Sequence, residues 1–599
     1  MATLIKIFQI LTRRERWQAL GIFVLIILMA ILEMAGVASI MPFVAVVADP
    51  KLVGTNLYLS TLYNYFGFSS IHNFLFLLGV AVFVFLLVSI AFKALTTWAL
   101  LRFTHMREYS LGVRLVSGYL WQPYEWFLGR HSADLGKAVL SEVQEVVNGA
   151  LIPMMQMLAQ GAVVLALLLL LIVADPMLAL GIGGVLGLGY GVLYALLRRR
   201  IMLMGIEREV ANNDRFKSLA EAFGGVKEVK VGGLEDILIR RYNGPAKQVA
   251  KSITAAQLAK QMPRFVLEAL AFGGMLLVVL YLMRTHGRLD QAMPIIALYA
   301  LGSYKLLPAL QQVYVHLSTL RFAQPALEKL HTDLISMSSL EMSPSLATEA
   351  MTVTREIRLK AVSYHYPGNE RLALNGLDLI IPAHATVGLV GPTGSGKTTA
   401  VDILLGLLAP TVGVLEVDGR PVHEGNCRDW QRVLGYVPQQ IFLIDDSITA
   451  NIAFGVAPEA VDHTAVEYAA RVANLHDFII HELPAGYATQ VGERGVRLSG
   501  GQRQRIGIAR ALYHGPRVLV LDEATSALDN LTEQAVMEAV HNLDHEITII
   551  MIAHRLSTVR ECDCIYVLDR GLVSAQGTYD ELLASSDHFR RLAEVAAEG

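Results

Sequence analysis

Two stretches hold the residue types that phosphoryl transfer requires. Gly391-Pro392-Thr393-Gly394-Ser395-Gly396-Lys397-Thr398 fits the pattern G-x-x-x-x-G-K-[ST]. Its glycines let successive backbone N–H groups turn inward on phosphate oxygens, and a helix N-terminus adds the positive end of its dipole. Lys397 would reach the β- and γ-phosphates, Thr398 would offer a hydroxyl to Mg²⁺, and Thr399 belongs with the loop. The apolar run Val518-Leu-Val-Leu ends in Asp522 and Glu523. Asp522 would hold Mg²⁺ through water, and Glu523 would act as general base on the attacking water. Together the two stretches predict ATP and Mg²⁺ as ligands and hydrolysis as the reaction.

A second set could bind an anion. Lys93, Arg264 and Lys305 are basic residues in or at the edge of long apolar segments. Charges there are costly and mark functional candidates. If they face one cavity, they suit a phosphate or pyrophosphate. Alternatively, Lys93 and Arg264 snorkel to the interface or pair with Glu33 and Glu268.

The elements that must position these residues divide the chain in two. Of 599 residues, 54 % are apolar and 17 % charged, against roughly 25 % charged in an average soluble protein. The charge deficit lies before about residue 325. Six apolar segments are long enough for a bilayer: about 17–41, 74–101, 150–173, 177–198, 265–283 and 291–316. The first is too long for a signal-peptide core and reads as a retained membrane helix. The loops 102–149 and 198–264 are rich in Arg and Lys, whereas 42–73 holds only Lys51, so the basic loops and both termini are expected in the cytoplasm. Segments near 124–137 and 219–233 could touch an ATPase. The aromatic stretch 56–68 reads as an interfacial helix or a packed outer cap. A polar linker over 332–354 separates an all-α membrane domain, 1–331, from an α/β phosphate-loop ATPase domain, 355–599, where short β runs alternate with helices. Cys427, Cys562 and Cys564 form no disulfide framework or recognisable metal set. A net charge of -3 without a dominant basic run argues against nucleic acid as a partner.

Leu498-Ser499-Gly500-Gly501-Gln502 resembles the signature of ABC ATPases. Gln439 after Val-Pro, His554 after the strand 548–552, and Ser526-Ala-Leu-Asp529 resemble the family's other motifs, and Gly492-Glu493-Arg494-Gly495 resembles the cross-talk loop of its exporters. Tyr366, ahead of Pro367-Gly368, is placed to stack on adenine. The resemblance implies that Gln439 handles water and metal, that His554 contacts the γ-phosphate, and that the signature of one ATPase domain caps ATP on another. With one such domain and one membrane half, the chain is expected to pair with a second copy of itself, with two intact ATP sites.

Glu33 through Pro50, the segment Pro263-Arg-Phe-Val-Leu-Glu-Ala and the outer helix resemble bacterial lipid-linked oligosaccharide flippases of the PglK type. That resemblance implies ATP-driven alternating access in the cytoplasmic (inner) membrane. The expected cargo is a polyprenyl-pyrophosphate glycan or a similar anionic lipid, moved to the outer leaflet. Two of the three cavity cations are lysines, which bind phosphate as point charges and not as planar forks, so fine headgroup selectivity does not transfer. A multidrug or general lipid exporter and a regulated channel are the rival readings, the latter disfavoured by intact Glu523 and His554.

Overall fold

The computed structural model describes the chain except Met1, Asp49, Ser69, Asp175, 287–288, 339–350, Glu370, 493–494, 524–529, 542–546, 554–555, Ser557 and Gly599. Two units separate: Met1–Gln122 with Gly129–Glu341, and Pro123–Leu128 with Met342–Gly599.

The first unit is helical. Its long helices are α1 (Arg13–Ala38), α2 (Ile71–Leu120), α3 (Ile152–Ala174), α4 (Pro176–Gly224), α5 (Glu235–His286) and α6 (Leu289–Phe322). Among the described residues, the stretches Arg13–Val47, Ile71–Leu120 and Asp134–Val173 are long and apolar enough to cross a membrane. The segments 177–198, 265–283 and 291–316 lie within α4, α5 and α6. At 1.5 Å per residue, the 50 residues of α2 extend roughly 75 Å, far past a hydrocarbon core of about 30 Å. The apolar first third of α2 can therefore sit in lipid while its basic end stands in water.

α1 opens with a capping box. The Thr12 hydroxyl accepts from Glu15 N–H, and Glu15 Oε2 accepts from Thr12 N–H at 2.8 Å. Glu15 also accepts from Ser110 at 2.8 Å and pairs with Arg107, which ties the start of α1 to α2. The expected first span, 17–41, lies within the membrane-length stretch Arg13–Val47, which is interrupted at Ser39. α1 stops at Ala38 and a separate helix runs Ile40–Ala48. Pro42 has no N–H to donate to Ala38, and the Ser39 hydroxyl instead donates to Gly36 O at 2.9 Å. Farther along, a Cβ on Gly205 would lie 2.3 Å from Phe322 O, so only glycine lets α4 approach the end of α6 so closely. Beside it, the buried Lys137 ammonium reaches Glu142 at 3.2 Å and Glu209 at 3.0 Å, and Lys329 meets Glu142 at 2.6 Å.

The second unit is α/β. Its strands are β1 (Glu356–Tyr364), β2 (Leu374–Pro382), β3 (Thr386–Val390), β4 (Val412–Val417), β5 (Arg420–Pro421), β6 (Leu434–Val437), β7 (Val518–Asp522), β8 (Thr548–Ile552), β9 (Cys564–Asp569) and β10 (Leu572–Gly577). An antiparallel sheet has the order β2-β1-β4-β5, and a second sheet has the order β10-β9-β3-β8-β7-β6. In the second, β9, β3, β8, β7 and β6 run parallel. β3, β7 and β8 are buried along nearly their whole length, as the interior of a covered parallel sheet requires. In-register pairing of Asp522 with Ile552 and Leu389 with Ile552 brings three strand ends to one edge, where ligands of such sheets bind. Between the sheets, fully buried Trp430 donates from Nε1 to Leu404 O at 2.7 Å.

Candidate functional site

The phosphate loop follows β3 and leads into α7 (Lys397–Leu404). Gly391, Gly394 and Gly396 have φ of 149°, 79° and 103°. A Cβ on Gly391 would sit 2.2 Å from Leu568 O, so this position tolerates no side chain. Lys397 is buried, and its Nζ donates to Gly391 O at 2.7 Å and Pro392 O at 3.0 Å. Desolvation pushes its pKa down, against the pull of Glu523 and Asp522. The buried Ser395 Oγ meets no partner among the described residues. An unpaired hydroxyl and an ammonium parked on loop carbonyls both fit an anionic group with several oxygens.

Across the strand ends, Gln439 Nε2 donates to Glu523 Oε2 at 2.6 Å. Glu523 has φ of 48°, the left-handed region that costs a non-glycine residue energy. Its N–H donates to Ile552 O at 3.1 Å and Gln504 Nε2 donates to its carbonyl at 3.4 Å, and both contacts help to hold it there. With its amide nitrogen turned to Glu523, Gln439 keeps its amide oxygen as an acceptor. That oxygen, the Asp522 carboxylate and the Thr398 hydroxyl are hard donors of the kind Mg²⁺ takes. Tyr436 hydrogen-bonds to Asp522 and has its pKa raised, mainly by burial. Asp402 on α7 is pushed up to about 6, first by burial and then by Asp522.

Tyr366 shares a 3.0 Å hydrogen bond with Thr399 and packs edge-on against Tyr364, ring centroids 5.1 Å apart. The Tyr364 hydroxyl donates to Glu125 at 3.0 Å, within the second unit. Ser499 caps α8 (Gly500–Leu512): its hydroxyl accepts from Gln502 N–H at 3.2 Å, and Gln502 Oε1 accepts from Ser499 N–H at 2.8 Å. Gly500 and Gly501 thus stand in the first turn of a 13-residue helix, where backbone N–H groups have no intrahelical acceptor. His554 and Asp529 lie outside the described residues, as do Glu493, Arg494 and Ser526.

In the first unit, a cavity of about 590 Å³ is lined by Glu33, Lys93, Gln156, Gln160, Lys305 and His316, among others. Lys93 Nζ lies 3.1 Å and Lys305 Nζ 3.4 Å from the same oxygen, Glu33 Oε1. Two of the three expected cavity cations therefore meet, and a carboxylate sits between them. Arg264 is elsewhere. It pairs with Glu268 one helical turn on, at 2.6 Å, does not line this cavity, and is 53 % exposed.

The family model described as ABC transporter transmembrane region matches residues 19–300, and the one described as ABC transporter matches 374–526. An uncharacterised ABC transporter ATP-binding protein of Sinorhizobium fredii is 34 % identical over 446 residues, 72 % of each chain. The chain belongs to the ABC transporter family. A protein named ATP-dependent lipid A-core flippase, of Cupriavidus pinatubonensis, is 30 % identical to this ABC transporter over 493 residues, 81 % of this chain and 82 % of that one. The fold matches that of a bacterial Atm1-family ABC exporter solved with ATP bound, with a TM-score of 0.78, 22 % identity and coverage of 97 % of this chain and 98 % of that one. The transporter thus joins a helical transmembrane unit to an ABC ATPase, and ATP hydrolysis drives translocation.

Reading the sequence alone does not find Gln504, Tyr436 or Asp402. Tyr436 and Asp402 reach Asp522 only through the sheet order and the α7 packing. Asp402 sits five residues after Lys397 on the same helix, a local signal that could have marked it.

Proposed function

We propose that this transporter works as a homodimer in a bacterial cytoplasmic membrane and moves an anionic lipid from the cytoplasmic to the outer leaflet. In this reading both termini are cytoplasmic, residues 1–331 form the membrane domain, 332–354 the linker and 355–599 the ATPase. The finer proposal for the cargo is a polyprenyl-pyrophosphate-linked glycan. One observation carries the cargo reading: Lys93 and Lys305, from separate helices, converge on one cavity of the membrane unit. Ionisable side chains within apolar helices that face a cavity are candidates for ligand contact. The name of the Cupriavidus relative supports a lipid cargo as well.

The ATPase chemistry follows from the residues. Lys397 would exchange loop carbonyls for β- and γ-phosphate oxygens, and the glycines and Ser395 would line the same oxygens. Tyr366 would stack on adenine. Glu523 would take the proton of the attacking water while Gln439 orients it. Thr398, Asp522 and Gln439 would hold Mg²⁺, which when bound offsets the phosphate charge. His554 would contact the γ-phosphate, and Asp529 would complete the site. Ser499, Gly500, Gly501 and Gln502 of one copy would cap the nucleotide on the other, with the α8 N-terminus supplying N–H donors. Closing and opening of that sandwich would drive alternating access.

The test is reconstitution in vesicles with a fluorescent polyprenyl-pyrophosphate glycan. ATP-dependent movement between leaflets supports the reading. Hydrolysis without movement of any anionic lipid overturns it.

A further inference from the structure

The two lysines of the cavity are already engaged. Lys93 Nζ and Lys305 Nζ both donate to one oxygen, Glu33 Oε1, at 3.1 and 3.4 Å. A carboxylate oxygen offers two lone pairs, and both are taken. Glu33 thus holds the bonds that an oxygen of an incoming anion would need.

Exposure sets this cluster apart from the one at Lys137. There the ammonium is fully enclosed by its acids. At Glu33 the order is reversed. The carboxylate side chain is the enclosed member, 8 % exposed, while Lys93 and Lys305 keep 43 % and 27 % of their side-chain surface and line the cavity. An anion in the cavity can therefore reach the lysines, and Glu33 is its rival for them. Charge decides the contest. Glu33 brings a single negative charge, whereas a pyrophosphate brings more than one and several oxygens. A carboxylate left in place would repel that newcomer at short range.

Displacing Glu33 also has a mechanical consequence. Among the described residues, Lys305–Glu33 is the ion pair that joins α1 to α6, and Lys93–Glu33 ties the same part of α1 to α2. The start of α1 remains bound to α2 through Glu15, Arg107 and Ser110. Breaking the Glu33 bonds therefore loosens one end of α1 only, the end beside the interruption at Ser39, where one helix already gives way to the next.

We propose that Glu33 is a built-in competitor for the lysine pair: it occupies the anion site while the cavity is empty, and the anionic cargo displaces it and so releases α1 from α2 and α6. The proposal rests on the anionic-lipid reading and adds the regulation of that site. A ligand that binds only the released state shifts the transporter toward it, and hydrolysis coupled to that state rises with it.

The experiment uses geranyl pyrophosphate as the probe and geraniol, with the same tail and no charge, as the control. Native mass spectrometry of the detergent-solubilised full-length protein reads binding, and phosphate release reads hydrolysis. The wild type is expected to bind the pyrophosphate above the alcohol and to hydrolyse ATP faster in its presence. Glu33→Gln should bind the pyrophosphate about tenfold more tightly, about 1.4 kcal/mol. It should also hydrolyse ATP without the probe at the stimulated wild-type rate and gain nothing further from it. Glu33→Gln/Lys305→Met restores the net charge of the cluster without restoring the tie. It should bind the probe about as tightly as the wild type and still keep the raised basal rate. If the pyrophosphate outbinds geraniol in the wild type but Glu33→Gln binds it no more tightly, this proposal is overturned and the anionic-lipid reading stands. The same holds if the double variant returns to the wild-type basal rate. If the wild type binds both probes alike, both readings fall.

Discussion

Gln439 donates to Glu523 at 2.6 Å across the ends of two parallel strands, β6 and β7. This bond fixes the carboxylate that would serve as general base and leaves the amide oxygen of Gln439 for a second partner. Glu523 itself is held in left-handed backbone geometry, so its direction is set by the strand end as well as by its rotamer.

Replacing Glu523 by Gln removes the base while keeping its shape. ATP turnover of the reconstituted protein should fall roughly 10²-fold or more, and ATP should remain bound. Phosphate release and retained radiolabelled nucleotide measure both. Brisk hydrolysis in this variant contradicts the base assignment.

Gln504 Nε2 donates to the Glu523 backbone carbonyl at 3.4 Å. Gln504→Ala should therefore lower turnover by a smaller factor than Glu523→Gln, with ATP affinity little changed. A loss as large as that of Glu523→Gln would mean that Gln504 does more than hold the backbone.

Asp418 accepts from Thr354 N–H and hydroxyl, Arg355 N–H and Glu356 N–H at 2.7–3.0 Å, joining the start of β1 to the β4–β5 turn. Burial alone would raise its pKa, but these bonds bring it down to about 2. A carboxylate depressed on folding stabilises above its unfolded value of 3.8, and that contribution is lost as pH falls toward 2. Asp418→Asn should lower the melting temperature at pH 7, with a deficit that shrinks between about pH 4 and 2. Scanning fluorimetry across that range checks it. A deficit independent of pH would assign the effect to packing.

Lys137 has no exposed side-chain surface and faces Glu142 and Glu209. Truncating it removes the buried cation that Glu142 and Glu209 share and leaves them with the more peripheral Lys329 and Arg208, so Lys137→Ala should destabilise the helical unit by about 3 kcal/mol, as breaking a buried pair does. Lys137→Met combined with Glu209→Gln, which leaves the Lys329–Glu142 pair in place, should recover part of the loss. If the single variant melts like the wild type, the network adds nothing.

What the sequence made legible followed contact range. The phosphate loop is contiguous, and the strand and helix that position it flank it directly, so its chemistry could be read from eight residues. The pair Asp522-Glu523 ends an apolar run and was equally plain. Arg264 and Glu268 stand one turn apart, and that spacing competes directly with a place in the cavity. The Lys93–Glu33–Lys305 cluster joins residues 60 and 272 positions apart, which only the helix packing brings together. The interruption at Ser39, three residues before Pro42, lies inside an apolar run, and apolar composition alone masks it. The left-handed turn at Glu523 carries no glycine and hence no signal.

The central claim is that the lysine pair of the membrane unit handles an anionic lipid while the ATPase supplies the work. The most direct measurement is lipid movement per ATP hydrolysed, taken in the same vesicles for the wild type and for Lys93→Met/Lys305→Met. The prediction is a ratio lowered about tenfold or more, about 1.4 kcal/mol of lost coupling or binding. An unchanged ratio would contradict the claim and place cargo recognition elsewhere in the membrane unit.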